Sequence, residues 1–134
     1  MRLTEQQNKF MQVFGYLAFP GLLSDRIHAV CNAFDAVFES HGGGHNGKPH
    51  EGDARSCIVP FIDQSEYLSS LLDDPCIDDI FTSLLGTDYN YLGSDGNLYV
   101  GDTSWHSDAD WSGNMRGTPP RDFFKMAFYL DPLT

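Results

Sequence analysis

The spacing of apolar residues predicts helices in the first two thirds of the chain. Thr4 with Gln7 three residues later is a capping-box pattern, which predicts a short helix that runs to about Phe14. Ser24 is a good N-cap residue, and the apolar positions that follow it recur every three or four residues. This pattern predicts a second helix, with one buried face, that ends near Ser40.

The middle of the chain has shorter patterns, some typical of strands and some typical of helices. The segments 16–19 and 56–62 are typical of extended backbone, and 65–72 is typical of a short helix. The pair Asp74-Pro75 combines an N-cap residue with proline in the first helical turn, so a further helix is expected from there to Gly86.

Strand patterns follow in the last third. Residues 89–92 and 98–102 flank a Ser-Asp-Gly-Asn turn at 94–97, which predicts a hairpin. In the strand predicted at 123–130, alternation places Lys125 on a mixed face, opposite a wholly apolar one. Helices followed by antiparallel strands predict an α+β domain built around a sandwich or a barrel.

Composition and charge narrow the function. The chain has 134 residues, enough for one domain, and a net charge of −11. Such an acidic protein is not expected to bind nucleic acid or an anionic membrane surface, whereas a small-molecule substrate or a metal ion suits it. The sequence shows neither a membrane span nor a signal peptide, and its three cysteines lack a C-x-x-C spacing. We therefore expect free or buried thiols in a cytoplasmic protein.

Two stretches contain candidate metal ligands. The glycine-rich segment 41–50 includes His41, His45 and His50, and a solvated loop is favoured there over a ligand cluster because glycine permits many backbone states. The second stretch is D-T-S-W-H-S-D-A-D-W, at 102–111. On extended backbone, His106 and Asp108 point the same way, and with a second histidine they would form the facial triad that holds Fe(II). From the residues alone, a metal site and an ordinary acidic loop are equally favoured.

Longer segments carry a resemblance to a known family. Y-L-G-S-D-G-N-L-Y-V-G-D-T-S-W-H-S-D at 91–108, followed by F-F-K-M-A-F-Y-L-D-P-L-T at 123–134, resembles the front half of the catalytic core of the phytanoyl-CoA dioxygenase family. G-Y-L-A-F-P-G-L-L-S-D-R-I at 15–27 is similar to that family's first strand, turn and helix. The likeness covers nearly the whole chain in the same order.

The resemblance implies a fold and a chemistry. The implied fold is α+β, with N-terminal helices (1–86) packed on a double-stranded β-helix, or jelly-roll, whose early strands are 87–134. The implied activity is hydroxylation of a small organic substrate with Fe(II), 2-oxoglutarate and O₂. The residues that match the family's motifs, or that lie where its sites would be, are His106 and Asp108 for iron, Lys125 and Thr103 for oxoglutarate, and Trp111 and Arg116 for the substrate.

The sequence departs from the family pattern at one point. In the family, a second histidine ligand and an arginine that binds oxoglutarate come after the strand that matches 123–130, and no histidine follows His106 here. We expect the chain to be the N-terminal portion of a longer domain. The alternatives are that a second chain completes the site, that His41, His45 or His50 folds back to do so, or that the protein is a non-catalytic binding domain.

Overall fold

The computed structural model describes residues 1–102, 104 and 123–131. The chain divides into two units, 1–99 and 100–134. Within the described residues there are four α-helices and one two-stranded antiparallel sheet. The helices are α1 (Glu5–Phe14), α2 (Ile27–Ser40), α3 (Glu66–Ser69) and α4 (Pro75–Leu85), and the strands are β1 (Ser56–Ile58) and β2 (Gly96–Leu98). Short 3₁₀ turns occur at His45–Gly47, Ile62–Gln64 and Ser70–Asp73. None of the helices in this described part is long and apolar enough to cross a membrane.

Helix α1 begins and ends where the sequence predicts. The Thr4 side chain accepts a hydrogen bond from the backbone N–H of Gln7, and the Gln7 side chain accepts one from the backbone N–H of Thr4. Gly15 ends the helix with φ 77°, a left-handed conformation that glycine adopts without a steric cost. The capping box therefore forms as predicted.

Helix α2 provides one side of the core. It begins after Arg26, which has no side-chain capping bond, so the prediction of Ser24 as the N-cap is wrong. Phe34, Phe38 and Phe61 pack their rings with centroids 4.9 to 5.6 Å apart. The buried apolar residues are Leu23, Val30, Val37, Phe38, Ile58, Phe61, Leu68, Leu71, Ile77 and Ile80. All belong to the first unit.

Helices α3 and α4 follow each other closely. Ser65 caps α3, which covers only the first half of the predicted helix, and the chain continues from it in 3₁₀ geometry. Asp74 caps α4 by accepting the backbone N–H groups of Cys76 and Ile77, and Gly86 ends the helix, both as predicted. This cap is itself a buried side chain, with 8% of its surface exposed.

The sheet differs from the predicted hairpin. β2 pairs with β1 in antiparallel register, with Ser56 opposite Leu98 and Ile58 opposite Gly96. Residues 89–92 form no strand, and part of the predicted turn lies in β2 instead. The Ser94 hydroxyl accepts the backbone N–H groups of Phe61 and Ile62, which fixes the approach to β2. The segment 16–19 is not a strand either.

The predicted fold class is wrong for the part of the chain that is described. Those residues are mainly helical, and no double-stranded β-helix is present among them. Burial does alternate along 123–127, but no strand is assigned there. Alternating side chains indicate an extended backbone with two unlike faces, whereas a strand requires a ladder of hydrogen bonds to a partner. The sequence pattern therefore indicated an extended backbone at 123–130 but not a partner strand.

Candidate functional site

Five of the six predicted site residues lie outside the part of the chain that the structure describes. His106 and Asp108, the predicted iron ligands, lie outside the described residues, as do Thr103, Trp111 and Arg116. Lys125, the predicted oxoglutarate contact, is described and exposed. Because five of the six predicted site residues lie outside the described part of the chain, their roles stay predictions.

The glycine-rich segment 41–50 has a defined conformation. The Gly43 backbone N–H donates to the Phe38 carbonyl at 2.8 Å, and the His50 N–H donates to the Gly43 carbonyl at 3.2 Å. A Cβ atom on Gly42 would lie 2.7 Å from the carbonyl oxygen of Gly47, and one on Gly44 would overlap the backbone of 48–50. The glycines are needed because the segment folds closely on itself. The segment is a largely exposed loop, as predicted, and its glycines permit the close approach of its own backbone.

Each of the three histidines of this segment joins it to another part of the chain. His45 Nδ1 lies 2.7 Å from the Cys57 carbonyl oxygen, so it must carry a proton and donate it. His50 Nδ1 lies 2.8 Å from Ser56 Oγ, and His41 Nε2 lies 2.5 Å from Gln64 Oε1. These contacts position the segment against β1 and the turn that follows it. The histidines act here as structural residues.

No metal-binding group of three or more histidine, cysteine or acidic side chains is present among the residues described. This covers His41, His45 and His50, the three proposed as distant ligands. His106 and Asp108 lie outside the described residues, so the source of a third ligand stays a prediction. Cys31 and Cys76 are free thiols.

A cavity lies beside the histidine segment. Its volume is about 360 Å³, and its lining comes from His45, Asn46, Lys48, Pro49, Glu51 and residues 53–56. Four charged side chains line it: Lys48 and Arg55, which are cationic, and Glu51 and Asp53, which are anionic. Sequence reasoning missed this site. The available signal was a cluster of charges of both signs directly after a glycine-rich segment.

A second polar cluster joins two helices. Arg26 Nη1 donates to Asp74 Oδ2 at 2.6 Å. Burial would raise the pKa of the Asp74 carboxyl, but hydrogen bonds from Arg26 and from the backbone N–H groups of Ile77 and Cys76 outweigh it and lower the pKa overall. Because the carboxylate already has partners on both oxygens, this cluster stabilises the fold and offers no free catalytic group.

No family model, curated protein or solved structure matches this chain.

Proposed function

We propose that this chain is part of an Fe(II)- and 2-oxoglutarate-dependent oxygenase that hydroxylates a small organic substrate. The observation that supports the proposal is the sequence around His106-Ser-Asp108, within the segment 91–108 that resembles the phytanoyl-CoA dioxygenase family. The order of the segments that share the resemblance adds support. The proposal does not rest on a jelly-roll fold.

The proposal gives each predicted site residue a role. His106 and Asp108 would hold the iron, which supplies the capacity to oxidise a C–H bond with O₂. The Asp108 carboxylate would offset part of the metal's charge. Lys125, which is exposed, would bind the oxoglutarate through its ammonium group. Thr103 would lie near the same cosubstrate, and Trp111 and Arg116 near the substrate.

The test is release of succinate from 2-oxoglutarate in the presence of Fe(II). It compares this chain with a version extended at its C-terminus by the residues that follow in its gene. We expect activity in the extended protein, and its loss in the His106→Ala and Asp108→Ala variants. The matched controls are His28→Ala and Asp35→Ala, because both residues are exposed on α2 and neither is assigned a role. Iron binding that is unchanged in His106→Ala would contradict the ligand assignment.

A second candidate function is that of a non-catalytic binding domain. The observation that favours it is that the sequence after His106 contains no histidine to complete a triad. If neither the chain nor its extended version releases succinate or binds Fe(II), this second function replaces the first. If the chain and its extended version both bind Fe(II), and the extended version releases succinate, the function of a non-catalytic binding domain is excluded.

We also propose a cytoplasmic location. The free thiols of Cys31 and Cys76 support it, since a reducing compartment keeps cysteines unpaired. Cell fractionation with an antibody against the chain is the test, and recovery from an oxidising compartment would contradict the proposal.

A further inference from the structure

The cavity beside segment 41–50 has the dimensions of a small-molecule site. Its volume of about 360 Å³ falls at the lower end of the range for ligand pockets. One side comes from the turn His45–Gly47 and the two residues after it, and the other from residues 51–56, which lead into β1. The cavity thus lies where a loop folds against the sheet.

The charged groups of this cavity are not neutralised by one another. Lys48, Glu51, Asp53 and Arg55 all line it, yet none of them forms an ion pair with another charged group in the described part of the chain. Arg55 is positioned instead by an aromatic ring, since its guanidinium carbon lies 5.7 Å from the centroid of Tyr99. Two positive and two negative groups therefore remain available to a bound molecule.

The lining is held in place by hydrogen bonds. The Ser56 hydroxyl, in a residue only 5% exposed, contacts His50 Nδ1, and the Cys57 carbonyl accepts a hydrogen bond from His45 Nδ1–H. When neutral, His45 is thereby fixed as the tautomer whose Nε2 is an acceptor. Because the backbone of the site is already ordered, less conformational entropy is lost when a ligand binds.

We propose that this cavity binds a small zwitterion, with its carboxylate at Lys48 and Arg55 and its ammonium group at Glu51 and Asp53. A simple anion would be repelled by the two carboxylates and by a chain of net charge −11. A simple cation would pair with Glu51 and Asp53 but would leave Lys48 and Arg55 without a counterion. A molecule that carries both charges pairs with both sets, and this proposal is independent of the oxygenase function.

The test is a titration of the full chain, followed by the backbone amide NMR signals of residues 45–56. The probes are 4-aminobutanoate and its two halves, butanoate and butylamine. We expect 4-aminobutanoate to shift these signals saturably, and each half to bind about tenfold more weakly, as loss of one charge-assisted contact implies. Equal binding of butanoate or butylamine would contradict the proposal, and so would the absence of saturable shifts with 4-aminobutanoate.

Charge-removing variants identify the groups involved. Arg55→Gln and Asp53→Asn are expected to weaken 4-aminobutanoate binding about tenfold each. Lys9→Gln and Glu39→Gln, which remove exposed charges outside the cavity lining, are expected to leave it unchanged. All four positions are exposed, so the variants should fold, and amide spectra of the free proteins check this. Equal effects of the cavity variants and the controls would mean that only net charge matters, which would overturn the assignment.

Discussion

Arg26 and Asp74 join the start of α2 to the start of α4 through a hydrogen-bonded ion pair of 2.6 Å. The other carboxylate oxygen of Asp74 accepts the first free backbone N–H groups of α4. One buried side chain therefore caps a helix and also fixes a second helix 48 residues away in sequence. The Arg26 side chain is 33% exposed, so only one partner is fully removed from water.

Replacement of Asp74 by alanine should lower the free energy of unfolding by about 2 kcal/mol, because the cap and the ion pair are both lost. Asp74→Asn should cost about 1 kcal/mol, since asparagine is also a good cap. Urea unfolding followed by circular dichroism measures both. The control is Asp25→Ala, which removes a 3.5 Å ion pair with the same arginine. The Asp25 side chain is 75% exposed. The cost of Asp25→Ala should be under about 0.5 kcal/mol.

The same carboxylate predicts a loss of stability in acid. The Asp74 pKa is lower in the folded protein than its ordinary value of 3.8, so its contribution is present above that value and is lost as the pH falls through the folded pKa. Between about pH 5 and pH 2 the urea midpoint should therefore fall more steeply for the wild-type chain than for Asp74→Asn. Parallel curves for the two proteins would show that Asp74 is not the group responsible.

Local signals in the sequence were sufficient for the ends of α1 and α4. Thr4 and Asp74 each bond to backbone groups two or three residues away, so their pattern is readable without knowledge of the fold. The sheet was not predictable in this way. β1 pairs with a strand that begins 38 residues after it ends (58 to 96), and the contacts that select this pairing, such as Ser94 with Phe61, are also distant in sequence. A hairpin with a near neighbour was the simpler expectation.

The site was predictable only in part, for a related reason. His106 and Asp108 are recognisable as a motif, and their roles stay predictions. The cavity at 45–56 depends on how segment 41–50 closes on itself, which the glycine content did not reveal. Glycine at 42 and 44 gives close approach of backbone to backbone, which orders the segment. Composition alone does not distinguish glycines that allow close backbone packing from glycines that make a loop flexible.

Tyr89 should titrate well above ordinary tyrosines. Burial, together with a 2.8 Å hydrogen bond from its hydroxyl to Asp78 Oδ1, raises the pKa of Tyr89 to about 12. Because the folded pKa is raised, the contribution to stability is complete below about pH 10 and is lost as the pH approaches 12. NMR of ring-labelled tyrosine should show a late-titrating signal that disappears in Tyr89→Phe. In Asp78→Asn its pKa should fall toward 10, and an unchanged value would contradict the role of Asp78.

Gly96 should not tolerate a side chain while Phe61 is present. A Cβ atom at Gly96 would overlap the Phe61 ring, which is 4% exposed and packs against Phe34 and Phe38. Gly96→Ala should therefore lower the free energy of unfolding by about 1–3 kcal/mol, measured by urea denaturation. In a Phe61→Leu background the added cost should fall by half or more, because the smaller side chain leaves room.

Gly47→Ala is the control for this cycle. Gly47 has φ 73° and nothing within 4 Å of an added Cβ, so its substitution costs backbone strain of about 1 kcal/mol and meets no ring. That cost should be the same with Phe61 or Leu at position 61, since distant sites are additive. If Gly96→Ala is also additive with Phe61→Leu, the clash with the ring is not the cause of its effect, and the packing of β2 on the aromatic cluster would need another explanation.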